Sequence, residues 1–146
     1  MASALFDPGR EGFLDGTIAW GTGSGGPSIK VALVRGYTFN AAHKFVSDVT
    51  TAGATLASVS AALTSKTSTN GVADAGDVTF SAVTANASNH YLLVYQASAL
   101  AGGADVASNA QRLIAYIDTG TNLPVVPNGG DVTVAWDNGG NRIFKL

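Results

Sequence analysis

The chain has 146 residues and a net charge of −2, and only 12% of its residues are charged. Its eight basic residues are scattered singly, so no basic patch predicts a nucleic-acid partner. The absence of cysteine excludes disulfides and thiol chemistry, and apolar runs far shorter than the roughly 20 residues of a membrane span predict no membrane partner.

Segment 1–16 is predicted to be a short N-terminal arm that contains a helix. Asp7 is a suitable cap, Pro8 suits the first helical position, and Gly16 lies where such a helix would end. So short an arm must dock its large apolar side chains, either on its own domain or on a neighbouring subunit. The candidate contacts with a partner or a second copy are Leu5, Phe6, Phe13 and Leu14.

Residues 17–146 are predicted to form one domain of short strands. Alternating or continuous apolar runs, separated by glycine-rich turns, indicate most of these strands. One departure is a short helical turn within 40–49, which Asn40 would cap. Prolines make 119–130 an ordered corner or an edge. Strands are expected over 17–20, 29–34, 54–65, 78–84, 90–96 and 111–117, and loops over 21–27, 70–77 and 97–110.

The last nineteen residues carry the strongest hairpin signal. From Asp131 onwards apolar and polar residues alternate, as in a half-buried strand. The sequence Asn138-Gly139-Gly140 suits a tight turn, after which 142–145 would return as the second strand. The edges of this hairpin are a further candidate contact surface.

Two registers of that terminal hairpin remain open from the sequence. One places Asp137 opposite Arg142, and we prefer it because it adds an ion pair. The other places Val134 opposite Ile143. The strings GDVTF at Gly76 and GDVTV at 130–134 are interpreted as two chemically similar strand entries and not as a repeat.

Seven or eight short strands with little helix predict an all-β protein. The expected architecture is a single-domain antiparallel β-sandwich, similar to a jelly roll, with a short N-terminal arm or helix and one short helical turn.

Glycine-rich and acidic motifs give only weak chemical signals. Gly21, Gly23 and Gly26 satisfy GxGxxG, but Pro27 and a strand follow where a dinucleotide site needs a helix, so we interpret them as a turn. Three aspartates, at Asp74, Asp77 and Asp131, could gather at one end of the domain. Their spacing matches no calcium loop, so no metal site is predicted, although a bound Ca²⁺ ion stays an alternative.

Catalytic chemistry is not predicted. A hydrolase could be assembled only from His43, Asp48 and a nearby serine, and no GxSxG motif surrounds any serine. We therefore expect no enzyme, no catalytic residue and no cofactor. Tyr91 and Tyr95 would share a strand face, where with Tyr116 they could bind sugar, but a stripe of core residues is favoured.

The C-terminal string RLIAYIDTGTNLPVVPNGGDVTVAWDNGGNRIFKL resembles a family of small virion structural proteins of tailed bacteriophages. The resemblance extends upstream to REGFLDGTIAW, IKVALV, HKFVSDV and LTSKTSTNGVADAGDVTF. It implies a decoration or cement protein that binds the major capsid protein as a homo-oligomer, a dimer or a trimer. Such a protein is made in the bacterial cytoplasm and lies on the outer capsid surface of the virion. The alternative is a head-fibre or tail-associated module that binds host surface glycan.

Overall fold

Antiparallel strands make up most of the regular structure. The computed structural model describes residues 4–146, and every strand pair in that range is antiparallel. The all-β class is therefore confirmed, while residues 1–3 of the predicted arm lie outside the described residues. The strands are β1 (Ala4–Leu5), β2 (Pro27–Arg35), β3 (Thr55–Val59), β4 (Thr67–Thr69), β5 (Val72–Asp74), β6 (Val78–Phe80), β7 (Tyr91–Ala101), β8 (Arg112–Ile117), β9 (Val132–Val134) and β10 (Phe144–Lys145), and the helices are α1 (Asp7–Asp15) and α2 (Val46–Thr51).

A five-stranded sheet in the order β1-β8-β7-β2-β3 is the centre of the fold. Its inner strands β2, β7 and β8 are nearly continuous runs of apolar residues, because both faces of the sheet are covered. In β7, for example, Leu92 and Val94 lie in one core cluster, while Leu93 and Tyr95 lie in the other. The predicted strands over 29–34 and 111–117 are confirmed, and the strand predicted over 90–96 begins at Tyr91.

Two smaller sheets lie against one face of the central sheet. They are the three-stranded sheet β10-β5-β4 and the two-stranded ribbon β6-β9. Their buried residues, such as Phe80 and Phe144, share a core cluster with Leu33 and Leu92 of the central sheet. Burying an aliphatic or aromatic side chain of this kind contributes roughly 1.5–3 kcal/mol. These long-range contacts hold the short strands in place, since a two-stranded ribbon alone is only marginally stable.

The other face is covered by the connection between β2 and β3, which contains helix α2. Tyr37, Val46 and Val49 from this connection pack with Leu93 and Tyr116 of the sheet. The predicted helical turn within 40–49 is thus correct in kind but begins later, at Val46. Asn40 instead makes a local turn, in which its Oδ1 accepts the backbone N–H of Ala42 at 3.1 Å.

The predicted terminal hairpin is wrong. Strand β9 pairs with β6, and β10 pairs with β5, so the last two strands belong to different sheets. Neither predicted register occurs. The buried indole of Trp136 donates its Nε1–H to the Gly76 carbonyl at 3.0 Å, and Phe144 packs edge-on to Trp20 with ring centroids 5.2 Å apart. These distant partners outweigh the local turn signal.

A hairpin does occur where the sequence predicted only a loop. Strands β4 and β5 pair directly around Asn70-Gly71, whose φ angles of 55° and 76° are both positive. Positive φ at both central residues is the geometry of a type I′ turn, for which Asn-Gly is the preferred pair. The prediction failed because Thr67–Thr69 is exposed throughout and lacks an apolar alternation.

Three further strand boundaries differ from the predictions. No strand forms over 17–20, and the strand predicted over 54–65 spans only Thr55–Val59. The strand predicted over 78–84 stops at Phe80. Beyond Phe80 the alternation of buried and exposed residues ends, because Ala82 is exposed with a φ of 45° and the next residue, Val83, is buried.

Candidate functional site

The N-terminal arm docks on its own domain. Ala4 and Leu5 pair with Tyr116 and Ala115, so β1 forms one edge of the central sheet. Phe6 then donates its backbone N–H to the Ile114 carbonyl at 3.1 Å. Leu5 is 8% exposed and Phe6 is fully buried, so the chain itself covers both of these candidate contact residues.

Helix α1 continues the arm and packs closely on β8. A Cβ added at Gly9 would lie 2.8 Å from the Leu113 carbonyl oxygen, so this approach requires glycine. The cap is Phe6 and not Asp7 as predicted, whereas Gly16 ends the helix as predicted with a φ of 77°. The contact holds the arm rigidly against the sheet.

The last turn of α1 presents its two apolar side chains differently. Phe13 is half-buried, with its ring centroid 5.8 Å from that of Phe144. Leu14 is 89% exposed, more than any other large apolar side chain in the part of the chain that the structure describes. The prediction that Leu5, Phe6, Phe13 and Leu14 contact a partner stays a prediction, and Leu14 is the one among them left open to solvent.

The hydrolase alternative gains no support from the position of His43. Its Nδ1 lies 2.9 Å from the Tyr37 hydroxyl, while the Asp48 carboxylate accepts the backbone N–H groups of Lys44 and Phe45 at 2.8 and 2.9 Å. Within residues 4–146, no hydrogen bond joins the His43 side chain to Asp48 or to a serine. These contacts order the turn before helix α2.

The second histidine, His90, is fully buried beside the 119–130 corner. It pairs with Val125 through backbone hydrogen bonds of 2.8 and 2.9 Å. The ring Nδ1 lies 2.8 Å from the Ser88 carbonyl, which can only accept, so Nδ1 carries the proton. The other ring nitrogen, Nε2, has no hydrogen-bond partner within the described residues.

The three loop aspartates each have a structural partner. Asp74 forms an ion pair with Arg142, Asp77 accepts the Trp136 backbone N–H at 3.1 Å, and Asp131 accepts the Ala82 backbone N–H at 2.8 Å. No group of three or more acidic, histidine or cysteine side chains that could hold a metal ion occurs in residues 4–146.

The tyrosines pack as the favoured core interpretation predicts. Tyr95 and Tyr116 are only 3% and 4% exposed, and Tyr91 is partly buried against the same cluster. Burial raises the pKa of Tyr116 well above its usual value, and the neighbouring Asp118 raises it further. Such buried rings offer little surface for a sugar to stack on.

The glycine-rich segment 21–27 forms a tight turn. A Cβ at Gly21 would lie 2.3 Å from the Gly25 carbonyl oxygen, which leaves no room for any side chain. Strand β2 begins at Pro27, so no helix N-terminus follows the glycines. The interpretation of this motif as a turn agrees with the structure.

An open groove of about 540 Å³ lies between the 119–130 corner and strand β9. Its lining combines apolar groups with a few polar side chains. The polar members are Thr121, Asn122, Asn128, Asp131 and Thr133. The sequence predicts the 119–130 corner but not the groove. One wall of the groove is strand β9, whose position depends on its long-range pairing with β6.

No family model matches the chain, and neither a curated protein nor a solved structure was found to match it. Of the helices in residues 4–146, none has the length and apolar character needed to cross a membrane.

Proposed function

We propose that this protein is a virion structural protein of a tailed bacteriophage that binds the outer surface of the assembled major capsid protein lattice as a decoration or cement protein. The resemblance of its C-terminal third suggests this class. The observation that carries the proposal is the rigidly docked helix α1, which presents Leu14 at 89% exposure. A large apolar side chain held on a fixed element loses little entropy when a partner covers it.

The finer architecture belongs to this proposal. A jelly-roll-like β-sandwich would present its outer surface and its corners to a lattice. The packing of the two smaller sheets on one face of the central sheet supports a layered arrangement of this kind.

A cement protein stabilises a shell because it binds the assembled lattice and not the separated subunits. Many copies that each bridge capsid subunits act together, so each contact needs only modest affinity. A homo-oligomer, either a dimer or a trimer, would multiply the Leu14 contacts in the same way.

The test is binding of purified protein to expanded capsids, with Leu14→Ser as the variant. Leu100→Ser is the matched control, because Leu100 is 73% exposed but lies on β7, away from α1 in the sequence. We expect saturable, symmetric binding that Leu14→Ser weakens and Leu100→Ser leaves unchanged. Hundreds of copies per virion by gel densitometry would support decoration, whereas virions that lack the protein would refute it.

The groove beside β9 favours a second candidate function, a head-fibre or tail-associated module that binds host surface glycan. Its amide, hydroxyl and carboxylate side chains suit hydroxyl-rich ligands. This candidate predicts a dozen or fewer copies per virion and carbohydrate binding that Asn128→Ala and Thr133→Val reduce. Hundreds of copies without measurable carbohydrate binding would exclude it.

A further inference from the structure

Strand β9 uses only one of its two edges for pairing. Within residues 4–146 its single strand neighbour is β6. Across this ribbon the Thr79 and Thr133 hydroxyls approach to 3.0 Å. Opposed side chains come closest at antiparallel pairs that do not exchange backbone hydrogen bonds, so the N–H and C=O of Thr133 point away from β6.

The hydrogen bonds beyond both ends of β9 follow the same alternation. The Gly130 carbonyl accepts the Val83 N–H at 3.0 Å, and the Trp136 N–H donates to Asp77 at 3.1 Å. Both of these even-numbered residues thus direct a backbone group towards the β6 side. Because successive residues of a strand direct their backbone groups to opposite sides, the odd-numbered residues between them direct theirs outwards. These residues are Asp131, Thr133 and Ala135.

This outer edge of β9, residues 131–135, opens onto the groove beside the 119–130 corner. The edge and residues 121–128 of the corner both line the groove. Among the described residues, no hydrogen bond joins the backbone of Thr133 or Ala135 to the corner. Exposed strand edges are commonly protected against pairing by lysine or proline, and the edge sequence DVTVA contains neither. The edge is therefore able to accept another strand.

The groove has the size and lining that suit an extended peptide. A strand rises roughly 3.3 Å per residue, so the edge offers a length of about 13 Å to a segment of about five residues. The groove volume is about 540 Å³. Part of the lining is apolar, since Leu92 and Val134 belong to the core cluster and Val125 packs against it. A bound strand would turn every second side chain towards these groups.

The charge of the groove favours a basic segment. Among the described residues that line it, Asp131 alone is charged. Its side chain is exposed, and because one oxygen accepts the Ala82 N–H, the second oxygen can accept from a ligand. The sequence contains no lysine or arginine between positions 113 and 141. A lysine or arginine of the bound segment would therefore be attracted, whereas an acidic segment would be repelled.

We propose that the outer edge of β9 binds an extended, basic peptide segment of a partner protein as an added strand. The segment pairs its backbone with Thr133 and Ala135 and places a cationic side chain beside Asp131. This inference goes beyond the proposed function, because it concerns a surface other than helix α1. Sugar hydroxyls do not follow the regular spacing of strand N–H and C=O groups, so a glycan matches this edge less well.

The test uses the end-capped peptide Lys-Val-Thr-Val-Lys, which offers a lysine to Asp131 in either chain direction. Amide hydrogen exchange of the whole chain is followed by NMR with and without millimolar peptide. We expect exchange at Thr133 and Ala135 to slow by at least about tenfold with the peptide. The Val134 amide, which faces β6, should change little. Unchanged exchange at both Thr133 and Ala135 would overturn the inference.

Control ligands separate strand pairing from other kinds of binding. The same peptide with every backbone nitrogen methylated cannot donate hydrogen bonds and should give no protection. The peptide Glu-Val-Thr-Val-Glu should bind at least about threefold more weakly than the lysine peptide. Equal protection by the methylated peptide would exclude an added strand. An oligosaccharide that protects Thr133 where the lysine peptide does not would assign the groove to glycan instead.

Asp131→Asn tests the charge within the protein. The amide oxygen can still accept the Ala82 N–H, but the negative charge is lost. We therefore expect the preference for the lysine peptide over the glutamate peptide to fall by at least about threefold. Asp118→Asn is the matched control, because Asp118 is exposed and does not line the groove, and it should retain the preference. An unchanged preference in Asp131→Asn would contradict the assigned charge of the segment.

Discussion

The hydroxyl oxygens of Thr79 and Thr133 lie 3.0 Å apart across the β6-β9 ribbon, where the two residues are direct partners. They form the centre of a local two-fold arrangement. On one side Asp77 accepts the Trp136 backbone N–H, and on the other Asp131 accepts the Ala82 backbone N–H. The two copies of the sequence GDVT therefore pair with each other, and each aspartate caps the end of the opposite strand.

Removing the Asp77 carboxylate should destabilise the protein. A hydrogen bond to a charged group contributes roughly 1.5–3 kcal/mol, so we expect Asp77→Ala to lower the free energy of unfolding by about 2 kcal/mol. Asp77→Asn retains an acceptor and should cost less. Asp131→Ala should also cost less, because its bond is exposed while that of Asp77 is partly buried. Urea denaturation measures all three variants, and a larger loss for Asp131→Ala than for Asp77→Ala would contradict this account.

Gly9→Ala should destabilise the protein although alanine favours helices. The substitution gains up to about 1 kcal/mol in helix propensity, but its Cβ would lie 2.8 Å from the Leu113 carbonyl oxygen. Overpacking of this kind costs about 1–3 kcal/mol, so we expect a net loss of about 1 kcal/mol in the free energy of unfolding. Glu11→Ala, at an exposed position of the same helix, is the control and should change stability by less than about 0.5 kcal/mol. A stabilised Gly9→Ala would show that α1 lies farther from β8.

Asp48 should make stability depend on pH under acidic conditions. Desolvation opposes ionisation, but hydrogen bonds from the backbone N–H groups of Phe45 and Lys44 outweigh it, and the pKa of Asp48 is lowered on folding. This contribution is present above the pKa of the unfolded chain, about 3.9, and is lost as the pH falls through the lower pKa of the folded state. Asp48→Asn should therefore lose less stability than the wild type between about pH 5 and pH 2 in urea titrations. Parallel curves for the two proteins would exclude this role.

Tyr95 should have the opposite dependence under alkaline conditions. Burial raises the pKa of Tyr95 to about 12, and Asp105 adds to the effect. The unfolded chain releases this proton near pH 10, so the contribution is complete below that pH and is lost as the pH rises towards 12. Tyr95→Phe should lose less stability than the wild type between about pH 9 and pH 11, as measured by denaturant unfolding. An identical alkaline loss in both proteins would contradict the prediction.

The sequence predicted those elements whose signal is local. The continuous apolar runs at 29–34 and 111–117 gave two central strands, since a strand buried on both faces needs apolar residues at every position. Pro8 and Gly16 similarly bounded helix α1, because proline suits its first turn and glycine readily adopts the positive φ that ends it.

The candidate contacts were predicted less completely. The sequence identified the apolar arm but could not distinguish Leu5 and Phe6, which are buried, from Leu14, which is exposed. That distinction depends on the pairing of β1 with β8.

By itself, the sequence determined the all-β class, the central strands and the helix of the arm, because backbone preferences and the apolar pattern act within a few residues. Only the tertiary structure decided which strands pair. The Asn138-Gly139-Gly140 segment does not form the predicted hairpin turn. Contacts of Trp136 with Gly76 and of Phe144 with Trp20, which join positions far apart in the chain, hold the flanking residues elsewhere. The stability gained by burying these large rings exceeds the preference of a tight turn, so β9 and β10 separate into different sheets.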